Sequence, residues 1–420
     1  MTGDAFAALR EERKAGRARG LYSVCSAHPL VLEAAVRRAS ACPHPILVEA
    51  TANQVNQYGG YTGMAPAEFS ARLAFLSSVH EVPEGRIVFG GDHLGPYPWR
   101  SQPAEEAMAE ADVLVRAFVA AGARKLHLDT SMALGGDHAP LEPEKAAARA
   151  IDLCRAAEDE FARCREARAC AFEPVYVIGT EVPVPGGAEL RIEEFRDDDG
   201  GPAPTSPEDF MAAVELYGDL FYRAGLEDAW NRVVAMVVQP GIEFDAMRVY
   251  PYRSERAEGL VAALASKCPL LFEGHSTDYQ SDSALSALVR DGVAYLKVGP
   301  ALTFVLREAL FGLDAAAREM GLAREASLKD VVIDAMRERP EHWKGYYTEG
   351  DSLEFSLKYA FSDRIRYYWD CPSVSVAQRR LFDSLRSVRV PTQILSQMLP
   401  RCAGVHQASS SSRSPEELVL

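Results

Sequence analysis

Short runs of apolar, mostly β-branched residues alternate along the chain with longer segments whose apolar positions recur at helical spacing. The runs have the length of strands and are nearly uninterrupted, as expected of strands buried on both faces of a parallel sheet. The longer segments carry helix-start signals such as Pro66 and Ser206-Pro207. Strands are therefore predicted at 21–26, 46–50, 86–90, 125–129, 175–179, 233–238, 269–273 and 294–298.

A helix follows each predicted strand, near 29–41, 66–80, 103–121, 142–168, after 206, and near 254–266, 282–291 and 301–320. Eight such β/α units in about 320 residues most often close into a (β/α)8 TIM barrel, an α/β fold. The alternative is an open, doubly wound sheet. The chain contains neither G-x-G-x-x-G nor G-x-x-x-x-G-K-[ST], which disfavours the nucleotide-binding forms of the open sheet.

The pattern changes after about residue 330, where aromatic residues concentrate at 342–347 and 364–369. We predict a barrel over residues 1–330 and a C-terminal helical extension over 331–405 that packs on it. The Ser-rich end, 406–420, is predicted to be a flexible tail.

Charge and cysteine usage narrow the classes of function. The 420 residues contain 45 Lys+Arg and 60 Asp+Glu, for a net charge of −15, so no basic face for nucleic acid or an anionic membrane is expected. A phosphorylated small molecule needs only a few local cations and remains compatible. The sequence contains no apolar core of a signal peptide and no apolar stretch long enough to span a membrane. Its eight cysteines include no C-x-x-C pair. We expect a cytoplasmic protein with reduced thiols.

Titratable residues collect after the predicted strands, at the end where a barrel carries its active site. Asp92-His93 follows the third strand, Asp129 ends the fourth, Glu181 follows the fifth and His275 the seventh. Two imidazoles among carboxylates suit a divalent cation such as Zn²⁺ or Mn²⁺. An open coordination position would polarise a substrate carbonyl.

The pattern leaves two further residues open. His127 shares a strand face with Asp129, but that face is either the barrel interior or the helix side. Lys297 lies on the eighth predicted strand, where Schiff-base chemistry is conceivable. Because the histidine pair favours a metal, we expect Lys297 to contact substrate or a carboxylate instead.

Barrels commonly hold phosphate with the loops after strands seven and eight and with a helix N-terminus. Here those loops offer Ser276, Thr277 and Gly299. Candidate distal cations are Arg253, Arg364 and Arg366. Pairing of these arginines with the acidic surface is an equally compatible interpretation.

Motifs that extend over nearly the whole chain resemble one known family. They lie at 24–35, 49–55, 59–64, 90–96, 127–129, 179–183, 273–280, 297–302 and 362–369. In these motifs the chain closely resembles the Z-subunit family of bacterial tagatose-1,6-bisphosphate aldolase, the GatZ/KbaZ type. That family is related to the class II aldolases, which are metal-dependent (β/α)8 barrels.

The resemblance implies roles for individual residues. Asp92 would exchange a proton with the C4 hydroxyl, and the catalytic carboxylates would be Asp92, Glu181 and Asp129. The ligands of a Zn or Mn ion would be His93, His275, Glu181 and Gln239, the last where the aldolases have another histidine. Substrate would be bound by Ser26, Asn53, Gln54, Ser276, Thr277, Asp278, Lys297, Gly299 and Arg364.

The family includes members with two different functions. Some are non-catalytic subunits that support a separate aldolase subunit, and others resemble stand-alone tagatose-6-phosphate 4-epimerases. Old descriptions as tagatose 6-phosphate kinases are disfavoured, because the chain has no phosphate-cradling ATP loop.

The C4 proton of a 2-ketose is not α to the carbonyl, so simple deprotonation cannot invert this centre. The centre can be inverted if the C3–C4 bond is cleaved, the aldehyde rotates and the bond forms again. This route requires a metal ion, an acid–base group at O4 and residues that bind the phosphate. We predict a metal-dependent 4-epimerase that interconverts D-tagatose 6-phosphate and D-fructose 6-phosphate. Free sugars and bisphosphates stay open as substrates. The alternative is a non-catalytic partner of an aldolase catalytic subunit, and a homo-oligomer is compatible with either.

Overall fold

The structure is a computed structural model, which describes residues 4–167, 172–179, 201–267, 270–322, 325–347, 350, 352–386, 388–401 and 414–419. Ten strands are present in this part of the chain. They are β1 (Leu21–Val24), β2 (Ile46–Thr51), β3 (Ile87–Leu94), β4 (Lys125–Leu128), β5 (Val175–Ile178), β6 (Val233–Val238), β7 (Glu243–Phe244), β8 (Val249–Tyr250), β9 (Leu271–Gly274) and β10 (Val293–Val298).

Eight of these strands close into a barrel in the order β1-β10-β9-β6-β5-β4-β3-β2. Every neighbouring pair is parallel, including β1 with β2, which closes the ring. The predicted TIM barrel is confirmed and the open-sheet alternative is wrong. β7 and β8 form a separate antiparallel hairpin between β6 and β9, which the sequence pattern did not predict.

The helices begin where the sequence places proline or a capping side chain. Ser206, for example, accepts a hydrogen bond from the Asp209 N–H, and Pro207 opens the helix that follows. The helices of the barrel region are α1 (Ala5–Lys14), α2 (Pro29–Ala41), α3 (Pro66–Val79), α4 (Ala104–Ala120), α5 (Pro143–Glu166), α6 (Pro207–Arg223), α7 (Glu227–Trp230), α8 (Glu258–Ala265), α9 (Asp282–Arg290) and α10 (Pro300–Glu319).

The described residues after α10 are mostly helical and pack on the barrel. Trp343, Tyr368 and Trp369 are buried in the same hydrophobic core as the barrel's outer helices. The elements are α11 (Leu328–Glu338), α12 (Leu353–Tyr359), α13 (Pro372–Leu385), α14 (Thr392–Met398) and α15 (Pro415–Val419). α15 lies in the segment predicted to be a flexible tail, yet it contacts α10 and α13 and buries Leu418. None of the described helices is long and apolar enough to cross a membrane.

The barrel interior is layered. At the amino-terminal end of the strands, Phe6 and Leu9 of α1 pack with interior residues such as Leu47 and Val88 in an apolar cluster. Above it, Lys125 lies between two glutamates, with its Nζ 2.8 Å from Glu49 Oε1 and 2.6 Å from Glu273 Oε2. All three side chains are fully buried.

A glycine makes room for this charged layer. A Cβ at Gly90 would lie only 3.0 Å from Glu49 Oε1 and 3.0 Å from the Lys125 carbonyl oxygen. The bare backbone of β3 therefore lets the Glu49 carboxylate reach Lys125 across the barrel. Ser23 completes the arrangement by donating a hydrogen bond to Glu49 Oε2.

We expect Lys125→Met to lower the free energy of unfolding by about 3–5 kcal/mol, because it leaves two buried carboxylates without their common cation. Lys14→Met is the control, because Lys14 pairs with Glu11 at the surface and should change stability by less than about 1 kcal/mol. Urea unfolding followed by circular dichroism measures both. Equal stability of the two variants would contradict a role for the buried charge layer in holding the barrel.

Candidate metal centre and ligand cavity

A local irregularity at the end of β3 turns two consecutive side chains inward. Successive side chains of a regular strand face opposite sides. The register between β3 and β4 shifts between Gly91 and Leu94, and His93 has a left-handed φ of 47°. Asp92 and His93 therefore both line one cavity. Irregularities of this kind commonly re-aim a side chain beside an active site.

Three imidazoles converge at the carboxyl ends of the strands. The ring centroids of His93, His127 and His275 are 4.8–5.1 Å apart in every pair. Asp92 joins them, and the four candidate ligand atoms all lie within 4.8 Å of one another. The four side chains are buried. Zn²⁺ and related ions prefer ligand sets of this type, which contain several imidazole nitrogens.

His127 carries the most direct sign of a ligand. Its Nδ1 lies 2.9 Å from Asp92 Oδ1 and 3.2 Å from the backbone N–H of His93. Its Nε2 is buried without a hydrogen-bond partner. Nδ1 cannot both accept the His93 N–H and donate to Asp92. The negative charge of Asp92 favours the proton on Nδ1, so the His93 contact is not a hydrogen bond and the Nε2 lone pair is free. Metal-bound histidines typically donate their second N–H to a carboxylate in this way, so the residues present fit a metal ion.

Carboxylates orient the other two imidazoles as well. His93 Nδ1 lies 2.7 Å from Asp129 Oδ2, and His275 Nε2 lies 3.1 Å from Glu273 Oε1. Burial lowers the pKa of His275 to about 4, which keeps it in the neutral form that binds metals. Burial opposes the charge of Asp129, but the hydrogen bond with His93 lowers its pKa to about 2.

Lys297 connects this cluster to the charged layer below it. Its Nζ lies 2.5 Å from Glu49 Oε2, 2.7 Å from Asp92 Oδ1 and 3.5 Å from Glu273 Oε1. Although burial opposes its charge, these carboxylates hold the pKa of Lys297 well above its usual value. A Schiff base needs a neutral amine. Lys297 is therefore placed as a carboxylate partner, one of the two roles expected from sequence.

The cavity also gathers most of the residues expected to bind substrate. The predicted substrate-binding residues that line the cavity are Ser26, Asn53, Gln54, Ser276, Asp278, Lys297 and Gly299.

Asp92 lines the same cavity as an anion. Burial opposes its ionisation, but His93 and Lys297 keep the pKa of Asp92 well below the usual range.

Other predicted site residues have different surroundings. Gln239 Oε1 accepts hydrogen bonds from the backbone N–H groups of Gly241 and Ile242, both at 2.9 Å, and Gln239 is not part of the cluster of candidate ligands. We therefore do not carry Gln239 into the ligand set, where His127 takes its place. The predicted ligand and catalytic residue Glu181 lies outside the described residues.

Two predicted phosphate contacts are also engaged elsewhere. Thr277 donates its hydroxyl to the Lys297 carbonyl oxygen at 2.6 Å. Arg364 donates from Nε to the His342 carbonyl oxygen at 2.5 Å. Neither Arg364 nor Arg253, the other candidate cation, lines the cavity. Arg366, named only as a distal cation, does line the cavity.

The sequence contained a signal for His127 that strand alternation alone did not resolve. In β4 the polar Lys125 and His127 alternate with Leu126 and Leu128. The two leucines pack in the core between the sheet and the helices, so the polar face is the barrel interior. Glu49 and Glu273 are a different case, because nothing in their runs marks them as partners of Lys125.

Comparison with known proteins agrees with this architecture. The model of the family described as D-tagatose-1,6-bisphosphate aldolase subunit GatZ/KbaZ-like matches residues 6–420. A crystal structure of a probable tagatose 6 phosphate kinase from Sinorhizobium meliloti 1021 is 42% identical in sequence, with 96% of each chain covered and a TM-score of 0.84.

Fructose-bisphosphate aldolase from Campylobacter jejuni is a much weaker match. It is 13% identical, with 94% of this chain and 92% of that chain covered and a TM-score of 0.43. The YdjI aldolase from Escherichia coli K12 gives 12% identity, coverage of 91% and 95%, and a TM-score of 0.40.

We expect the purified chain to bind one Zn²⁺ or Mn²⁺, and His127→Ala to weaken that binding at least tenfold, because one of three imidazole donors is lost. His138→Ala, in an exposed loop, is the matched control. Metal content by mass spectrometry and affinity by competition with a chelating dye measure the effect. Unchanged affinity in His127→Ala would exclude this residue as a ligand.

Proposed function

Because the chain belongs to the family of D-tagatose-1,6-bisphosphate aldolase subunits of the GatZ/KbaZ-like type, we propose that it is a metal-dependent 4-epimerase. It would interconvert D-tagatose 6-phosphate and D-fructose 6-phosphate. The observation that supports this most is the meeting of three buried imidazoles with Asp92 at the barrel mouth, where Asp92, His93 and His275 also line a cavity. An inert scaffold has no need of the buried His127 Nε2, which lacks a hydrogen-bond partner.

The cavity contains the parts that a retro-aldol epimerisation requires. A divalent cation held by His93, His127 and His275 would stabilise the negative charge that develops on the ketose oxygens when C3–C4 breaks. Asn53 and Ser26, which line the same cavity, offer neutral hydrogen-bonding groups for sugar hydroxyls. Gln54 also lines it, and its amide is held by the Thr51 N–H and the Cys25 carbonyl oxygen. Enclosure of the aldehyde in this cavity would let it rotate without escaping.

Asp92 is the group we assign to proton exchange at O4. Its Oδ1 is held by His127 Nδ1 at 2.9 Å and by Lys297 Nζ at 2.7 Å. Oδ2 lies 3.9 Å from His93 Nε2 and is the oxygen left for a substrate hydroxyl. The carboxylate is thus fixed in orientation while one oxygen stays available, as general acid–base catalysis requires.

The second candidate function is that of a non-catalytic aldolase subunit, and the family description favours it directly. The chain would then retain the cluster without turnover and stabilise a separate aldolase. A kinase function, which the name of the Sinorhizobium meliloti protein suggests, fits less well. Phosphoryl transfer from ATP uses Mg²⁺ held by oxygen ligands, whereas this cluster is rich in imidazole.

We expect the purified chain with Zn²⁺ or Mn²⁺ to convert D-fructose 6-phosphate to D-tagatose 6-phosphate. ¹³C NMR detects the product. Asp92→Asn should lower the rate at least about 100-fold, because the amide cannot exchange the O4 proton. Asp219→Asn, at an exposed site on α6, is the control and should keep full activity. A chelator should abolish turnover, and added metal should restore it.

No product with any of several divalent metals, or full activity in Asp92→Asn, would refute the epimerase. Loss of stability or rate in a tagatose-bisphosphate aldolase when this chain is withheld, with no turnover by the chain alone, would establish the subunit function instead.

A further inference from the structure

The N-terminus of α10 already holds an anion that belongs to the chain. The backbone N–H groups of Gly299 and Ala301 both donate to Asp278 Oδ1, at 3.0 and 2.7 Å. α10 follows the last barrel strand, which is where barrels commonly bind a phosphate with a helix N-terminus. In this chain the carboxylate of Asp278 fills that place.

The loop that carries Asp278 is fixed on both sides. Tyr279 has a left-handed φ of 62° and donates its hydroxyl to the Phe361 carbonyl oxygen at 2.6 Å. Gln280 accepts from the Tyr252 N–H at 2.9 Å. The loop is thus tied both to the extension and to the chain that follows the β7–β8 hairpin. A phosphate at α10 would have to displace a held carboxylate or lie beside it as a like charge.

Little positive charge remains in the cavity for a second phosphate. The ammonium of Lys297 is surrounded by Glu49, Asp92 and Glu273 and is already neutralised. Among the described residues that line the cavity, Arg366 is the other lysine or arginine. Its guanidinium donates to the carbonyl oxygens of Ser362 and Asp363, the latter at 3.1 Å, and to the Tyr367 hydroxyl at 3.2 Å. Within the described part of the chain, no carboxylate lies within salt-bridge distance of it.

A second guanidinium reinforces the positive charge at Arg366. The Cζ atoms of Arg364 and Arg366 each lie 4.6 Å from the centre of the Tyr367 ring. Arg364 is buried, and its NH1 has no hydrogen-bond partner. The Tyr61 ring packs edge-on against Tyr367 with centroids 4.9 Å apart. The C-terminal extension thus places the guanidinium groups of Arg364 and Arg366 together at one side of the barrel mouth.

We propose that Asp278 is a specificity-determining residue that limits the cavity to ligands with a single phosphate. It occupies the anion position at α10 and repels a phosphate there, while Arg366 holds the one phosphate that the ligand carries. The proposal rests on the proposed function in so far as the ligand is a ketohexose phosphate, but it concerns binding and not turnover.

Isothermal titration calorimetry of the metal-loaded protein with D-fructose, D-fructose 6-phosphate and D-fructose 1,6-bisphosphate tests the proposal. The wild-type chain should bind the monophosphate at least tenfold more tightly than either of the other two sugars. Asp278→Ala should raise the affinity for the bisphosphate at least tenfold, because it frees the N–H groups of Gly299 and Ala301. Arg366→Gln should lower the affinity for the monophosphate at least tenfold.

Asp282→Ala, an exposed residue at the start of α9, is the control and should change no affinity. Asp278→Ser replaces Asp278→Ala if the latter unfolds, as thermal melting would show. Wild-type binding of the bisphosphate as tightly as the monophosphate overturns the proposal. So does an unchanged ratio of the two affinities in Asp278→Ala, unchanged monophosphate affinity in Arg366→Gln, or no binding of any sugar. A chain that prefers the monophosphate but does not epimerise it would refute the proposed function and support this inference.

Discussion

Charges inside a barrel can stay ionised only when each has a partner, because water cannot solvate them there. In the described part of the barrel interior, Lys125 and Lys297 are the buried lysines, and three carboxylates surround them. Asp129 adds a further negative charge beside His93. With the three imidazoles neutral, as metal binding requires, the described interior carries four carboxylates against two ammonium groups. A divalent cation among the imidazoles would compensate that excess, so the same electrostatic balance that holds the barrel also prepares the site.

The barrel converts this balance into geometry. Parallel strands bring their carboxyl ends to one mouth, and the irregularity at the end of β3 sends both Asp92 and His93 inward. A Cβ at Gly95 would lie 1.8 Å from the Asp129 carbonyl oxygen, so only glycine allows β3 to approach Asp129 this closely. Each imidazole then faces a carboxylate that fixes its orientation. His93 and His127 lie in strands, and His275 directly follows the end of β9, which favours a fixed site.

The eight strands and their helices could be predicted from sequence because strands buried on both faces differ sharply in pattern from amphipathic helices. His127 could not be assigned, since the alternation of Lys125 and His127 with Leu126 and Leu128 separates two strand faces without telling which of them is the barrel interior. Arg364 and Arg366 are only two residues apart in a short 3₁₀ turn, where side-chain direction depends on packing that no spacing rule gives. The contact between the Asp278 carboxylate and the N-terminus of α10 joins residues that are separated in sequence, so it could not be predicted from sequence either.

X-ray absorption at the zinc edge of the zinc-loaded protein tests the central claim most directly. The account requires three imidazole nitrogens at about 2.0–2.1 Å from the ion. It also requires that one of them disappear from the spectrum of His127→Ala. An ion bound by oxygens with one imidazole or none, or a spectrum that His127→Ala leaves unchanged, would contradict it.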